Sequence, residues 1–192
     1  SSLLLIDPAE PHLLGSLPLA VAVAVHDAIA AVLPPLGGHI SIKWPNDILI
    51  DDRKVAGILI ELHADLDRVK HVILGIGINV RQNTSDFPAA LRSQATSLKI
   101  ASGRAPSRPA LAARVLKELD FDYDRIIRGD FAMVAEEWAR SCSSLGQTVT
   151  LTRGAQVLHG RAESIDEQGA LLLRTEHGRL ESVLSGDLTP TN

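Results

Sequence analysis

A single cysteine, Cys142, among 192 residues excludes an intrachain disulfide. It borders a helical stretch, Phe131–Ser141, with no histidine nearby in sequence to activate its thiol, so it reads as a small, partly buried residue of a reducing cytoplasm. Aromatic residues are equally scarce, at 3% of the chain, which removes the stacking platforms that single-strand nucleic-acid binders need. Positive charge is not in excess either. The 19 Lys and Arg face 23 Asp and Glu, a net charge of -4, so nothing draws the chain to a phosphate backbone and no nucleic-acid partner is expected. No apolar run approaches the ~20 residues of a membrane span. The longest, Leu17–Val25, contains Pro18 and is followed by His26 and Asp27, so no membrane partner is expected and the chain is placed in the cytoplasm.

What is present is the composition of a folded domain, with 45% hydrophobic and 22% charged residues. Ser1–Ile6 has the pattern of a short buried strand closed by Asp7-Pro8, and Ser16–Leu33 that of a helix apolar on most sides, stopped by Pro34-Pro35. Strands are expected over Ile40–Trp44, Asp47–Ile50, Val55–Leu62 and Val69–Val80, with turns short enough for an antiparallel meander, including one over Asp65–Arg68. A polar stretch (Arg81–Ser93) and a Ser/Gly/Pro-rich stretch (Ser97–Pro109) precede two helices, Pro109–Arg128 and Asp130–Ser141, broken at Gly129. After Gly146 the helical period vanishes. Val149–Leu151, Val157–Ile165, Ala170–Arg174 and Leu180–Leu184 read as short strands of a small barrel. The fold class is α+β, a largely antiparallel sheet with packed helices over residues 1–145 and a barrel over 146–192.

Three clusters at strand ends carry unusual residues: Lys43-Trp44-Pro45-Asn46-Asp47, then Arg53-Lys54-Val55-Ala56-Gly57-Ile58-Leu59 with Glu61, then Gly75-Ile76-Gly77-Ile78-Asn79. Pro-Asn-Asp is also ordinary turn chemistry. Lys54 reads as a solvated hairpin lysine or, alternatively, as a compact cation holding a carboxylate and a phosphate together. Gly75-Ile76-Gly77 allows a flat ligand or a phosphate to approach the backbone, with Asn79 offering a donor and an acceptor, or it is simply a buried strand with a tight exit. The dinucleotide fingerprint fails because Val80 occupies the last glycine position, and no Walker loop is present. His63 and His71 lack metal-ligand spacing and read as surface residues, so no protein-built metal site is expected. Glu136-Glu137 reads as a solvated helix face.

Taken together and in this order, the three clusters resemble the signature of the biotin protein ligase (holocarboxylase synthetase) family, and Lys43–Asp47 separates it from the related lipoate ligases. The resemblance spans nearly the whole chain, because that family pairs a class II synthetase-like catalytic core with a C-terminal SH3-like barrel. It implies a two-step reaction: biotin and ATP give biotinyl-5′-AMP, and a lysine of a biotin carboxyl carrier protein or carboxylase carrier domain then takes the biotinyl group. By the same resemblance, Lys54 bridges the biotin carboxylate and the α-phosphate, with Mg²⁺ carried mainly by ATP. Asn46 and Asp47 lie beside the acyl-phosphate, Asp47 assisting the incoming amine. Gly57, Ile58, Gly75 and Ile76 form the biotin floor, and Asn79 faces the adenylate.

One departure accompanies it. The Gly/Arg-rich adenylate loop that the family places before the strand resembling Ser1–Ile6 is missing, which leads to the expectation of an N-terminally incomplete catalytic domain, an unpaired sheet edge and a possible homodimer. It also leaves two other readings open, a non-catalytic ligand- or partner-binding module and a lipoate-type acyl ligase.

Overall fold

The computed structural model describes residues 2–6, 15–65 and 68–191. Five antiparallel strands form the first sheet in the order β1-β5-β4-β3-β2: β1 (Ser2–Ile6), β2 (Ile40–Lys43), β3 (Asp47–Ile50), β4 (Arg53–Asp65) and β5 (Arg68–Ile78). The meander expected from the short turns is therefore present, and β1 adds to it along β5. The Asp7-Pro8 strand stop and the tip of the Asp65–Arg68 turn lie outside the described residues.

Helix α1 (Leu17–Val32) starts with a proline in its first turn, where a missing N–H costs nothing. Its run of Ala and Val is buried almost all round because it packs on the sheet with one side and against α3 (Arg108–Ile127) and α4 (Phe131–Ser141) with the others. Ile42, Ile48, Ile50, Ala56, Ile58, Val72 and Leu74 complete this core from the sheet. α3 and α4 separate at Gly129, whose φ of +85° supplies the left-handed step that ends a helix.

One α-helix and one strand escaped the sequence reading. The stretch read as polar and Ser/Gly/Pro-rich contains a short helix, α2 (Leu98–Ser102), capped by Ser97, whose hydroxyl accepts from the Ile100 amide and donates to the Gln82 carbonyl. The last strand, β10 (Asp187–Pro190), was also missed, because its four residues include an exposed acid and a proline. With β6 (Thr148–Arg153), β7 (Gln156–Ile165), β8 (Leu171–Thr175) and β9 (Leu180–Val183) it forms a second antiparallel sheet in the order β10-β6-β7-β8-β9. Val149, Leu151, Ala162, Leu171, Leu173, Val183 and Leu188 are its interior.

The link between α4 and β6 runs along β2. Ser143 donates its amide to the Ile42 carbonyl at 2.9 Å, and the Trp44 amide donates to the Ser144 hydroxyl at 3.3 Å. These bonds satisfy backbone groups that the β2 edge would otherwise leave open, and they fix the small barrel beside the turn that follows β2.

Candidate functional site

One row of residues crosses the first sheet from edge to interior. Lys43 pairs with Asp47, Asp47 with Gly57, and Gly57 with Gly77. Residues directly opposite in antiparallel strands share a face, and this face is the one turned away from α1. Simple alternation would put Lys54, three residues before Gly57, on the core side. A β-bulge between Ile48 and Leu49 on β3 and the facing stretch of β4 prevents this: Ile48 pairs with Ala56 but Leu49 with Lys54, so Val55 is the extra residue. The bulge re-aims Lys54 to the same face as Asp47 and Gly57. The turn before it, Asp51-Asp52, has φ of 47° and 59°, the left-handed pair that a two-residue hairpin connection requires and that Asp tolerates.

Lys54 then meets Asp47 directly, with Nζ 2.5 Å from Oδ1. Its backbone is held independently: the Lys54 amide donates to the Gln94 carbonyl at 2.7 Å and the Thr96 amide to the Lys54 carbonyl at 2.9 Å. The segment around Ala95 thus lies beside Lys54 like a short parallel strand. Gly57 leaves room for the Lys54 ammonium. A Cβ there would lie 3.1 Å from the Lys54 Cε and 3.2 Å from its Nζ.

Two cavities open on this face. The smaller, about 630 Å³, is walled by Trp44, Pro45, Asn46, Ile58, Leu59, Gly75 and Ile76, with Gly186 and Asp187 reaching in from the barrel. The larger, about 1100 Å³, is walled by Asn79, Phe87, Leu91, Gln94 and Ala95 on one side and by Gln147, Val149, Leu188 and Pro190 on the other. Both include Lys43, Asp47, Lys54, Gly57 and Gly77. The two spaces therefore meet at the row of charged residues, where an anionic end from one cavity can face an anionic end from the other.

The residues named for the site from the sequence, Asn46, Asp47, Lys54, Gly57, Ile58, Gly75, Ile76 and Asn79, line these two cavities or, for Asn46, also pin the turn beside them. Gly75 and Ile76 belong to the smaller cavity alone and Asn79 to the larger. Asn46 uses its side-chain amide to donate to the Ile58 carbonyl at 2.6 Å, and its carbonyl accepts from the Ile58 amide at 3.0 Å, so it pins the turn onto β4. Asn79 similarly donates its side-chain amide to the Thr96 carbonyl at 3.1 Å. Ile58 is only 3% exposed and packs in the core, so it supports the cavity from below. Lys43, Leu59 and Gly77 were quoted in motifs without being given a site role. Lys43 was legible through its pairing with Asp47 across a three-residue turn, whereas Gly186 and Asp187, which lie on and just before the missed strand β10, had no local signal.

Outside the site, His63 and His71 face each other across β4 and β5 with rings stacked at 4.6 Å. Cys142 is half-buried, and burial pushes its thiol pKa up, away from reactivity. Among the described residues no helix is long and apolar enough to cross a membrane.

Two family models match the chain: the Biotin/lipoate A/B protein ligase family over residues 2–79 and the Biotin protein ligase C terminal domain over residues 144–188. A biotin acetyl-CoA-carboxylase ligase of Paracoccus denitrificans is 30% identical over 168 residues, covering 86% of this chain and 69% of that protein. The bifunctional ligase/repressor BirA of Bacillus subtilis is 36% identical over 172 residues, 90% of this chain but 52% of that protein. Biotin protein ligase from Aquifex aeolicus, solved in complex with biotin and ATP, superposes with a TM-score of 0.85 at 29% identity, covering 99% of this chain and 77% of that one. The chain belongs to the biotin protein ligase family. It spans about half the length of several of the curated relatives it matches.

Proposed function

We propose that this chain carries the adenylating and acyl-transfer centre of a biotin protein ligase, with residues 1–145 as its catalytic part and 146–192 as the barrel that helps enclose the nucleotide. In step one, a carboxylate oxygen of biotin attacks the α-phosphorus of ATP, the bond to the β-phosphate oxygen breaks, and pyrophosphate leaves biotinyl-5′-AMP. In step two, the amine of a carrier-domain lysine attacks the acyl carbon, AMP departs, and the ammonium proton is lost. Mg²⁺ enters with ATP as part of the substrate.

The observation that carries this reading is the junction of two cavities at Lys54. Two unit anions about 4 Å apart repel by about 4 kcal/mol at an effective dielectric constant of about 20. One ammonium between them offsets that repulsion at the moment of attack, when charge is moving onto the phosphate. Gly57, Gly75 and Ile76, over Ile58, form the floor for biotin, because glycines let a flat bicyclic ligand rest on backbone. Asn79 and the larger cavity take the adenosine end. Asp47 holds Lys54 before substrates arrive and, once Lys54 turns to the anions, can accept the proton of the incoming amine. Asn46 orients the turn beside them.

Biotin-dependent exchange of pyrophosphate into ATP tests step one without a carrier. Exchange that requires biotin and is lost in Lys54→Ala is expected. Exchange driven by lipoate instead would transfer the site to the other acid covered by the family model. A folded chain that binds neither biotin nor ATP would overturn the proposal in favour of a non-catalytic module. Transfer to an isolated carboxylase carrier domain tests step two.

A further inference from the structure

The row that holds Lys54 contains a second cation, and its counter-ion comes from the other sheet. Lys43 Nζ lies 3.6 Å from Asp187 Oδ1, with the Lys43 side chain 26% exposed and that of Asp187 77% exposed. Lys43 lines both cavities at their junction, and Asp187 enters only the smaller one. From barrel to sheet interior the charges alternate: Asp187, Lys43, Asp47, Lys54. Asp47 belongs to the sheet itself and is only 22% exposed, whereas Asp187 sits in water at the start of β10 and is the partner more easily displaced.

We propose that Lys43 is the residue that receives the terminal phosphates of ATP, and that Asp187 is a place-holding anion on the barrel that gives up Lys43 when the triphosphate arrives. This rests on the reading of the site as an adenylating centre. Lys54 is committed to the α-phosphate and the attacking carboxylate, and the Mg²⁺ that travels with ATP offsets only part of the charge on the two phosphates that leave as pyrophosphate, so a second side-chain cation has a place beside them. Lys43 is the other lysine on both cavity walls. A compact, mobile ammonium suits a group that must bind a polyphosphate and then release it. The exchange of partners also links nucleotide occupancy to the barrel. With ATP bound, Asp187 would lose its bond to the sheet, while the Ser143 and Ser144 bonds to β2 remain.

Equilibrium titration of the whole chain with Mg-ATP, AMP and biotin separates the possibilities. Asp187→Asn removes the competing anion without touching the core, so Mg-ATP affinity should rise about two- to five-fold, the range expected for an exposed ion pair. AMP affinity should not change. Lys43→Gln should weaken Mg-ATP by at least as much, again sparing AMP. Asp187→Asn placed in the Lys43→Gln background should then have no effect on Mg-ATP, a non-additivity that a merely structural role would not produce. Unchanged or weaker Mg-ATP binding by Asp187→Asn, or equal effects on ATP and AMP, would overturn the proposal while wild-type binding of ATP and biotin left the ligase reading intact. Absence of any ATP binding by the wild-type chain would overturn both.

Discussion

Replacing Gly57 by alanine tests whether the position of the Lys54 ammonium, and not merely its presence, sets the rate of adenylation. A Cβ at residue 57 meets only the flexible end of Lys54, at 3.1 Å to Cε and 3.2 Å to Nζ, and stands 3.6 Å from Asp47 Oδ1. The side chain must therefore give by a few tenths of an ångström while the backbone stays. Moving an ammonium from about 3.0 to about 3.4 Å from an anion costs roughly 0.6 kcal/mol at an effective dielectric constant of about 20, and on the proposed reading Lys54 serves two anions. The combined loss, about 1.3 kcal/mol, corresponds to roughly a tenfold lower rate of pyrophosphate exchange at saturating biotin and ATP. Removing the ammonium with Lys54→Ala should cost on the order of a thousandfold, and Gly57→Ala added to it should slow the maximal rate no further. Stability should change by less than about 0.5 kcal/mol, or a degree or two in Tm. A rate within twofold of wild type, or a large drop in Tm, would refute the reasoning.

Four further substitutions probe separate parts of the account. Gly75→Ala leaves the fold intact, since its Cβ would sit 3.5 Å from that of Leu59 in ordinary contact, but it fills the smaller cavity; biotin affinity measured by titration should fall at least tenfold with Mg-ATP affinity unchanged. Gly160→Ala drives a Cβ into the Arg174 backbone on the neighbouring strand, so thermal melting should show a loss of about 1–3 kcal/mol. Asp47→Asn should slow carrier transfer more than adenylate formation in single-turnover assays; equal slowing would remove its role as proton acceptor. Asp122, buried on α3, has its carboxyl pKa raised to about 6 by desolvation, a rise that its bonds to Arg125 only partly oppose and that nearby Glu137 and Asp27 reinforce. An acid with a raised folded-state pKa keeps its proton longer when folded, so its contribution to stability falls as pH rises from about 4 to about 6. Denaturant titrations across that window should show Asp122→Asn gaining on wild type by up to roughly 3 kcal/mol.

Much of this was readable from the chain because the signals were local. Alternating Ile and Leu on either side of Pro-Asn-Asp and Asp-Asp-Arg specify β2, β3 and β4 through turn chemistry, and the Ala/Val run of α1 requires burial on several sides, which α3, α4 and the sheet provide. The parity of Lys54 was not readable. Alternation counted from Gly57 sends it to the core, and only the extra residue in the β3–β4 pairing brings it to the cleft. Residues 94–96, which fall between the two polar stretches, carried no signal because their ordering comes from long-range backbone bonds to Lys54, which no local pattern encodes. For the same reason the place of Asp187 beside the site was invisible. Asp187 is an unremarkable exposed acid until its strand is seen to end beside Lys43.

The charges on that row also suggest why the two chemical steps would occur in order. In the substrate-free site each lysine of the row is matched by an aspartate, so neither of these aspartates is free to act as a base. The Lys54 ammonium, 2.5 Å from Asp47 Oδ1, occupies the carboxylate that an incoming amine would need to reach. On the proposed reading, biotin carboxylate and α-phosphate draw Lys54 away, and Asp47 becomes available only once the acyl-adenylate it must serve is being formed. A carrier lysine arriving early finds no base and no activated acyl group. The same lysine arriving after adenylation finds both, because the cation that masked the base is now occupied by the phosphate.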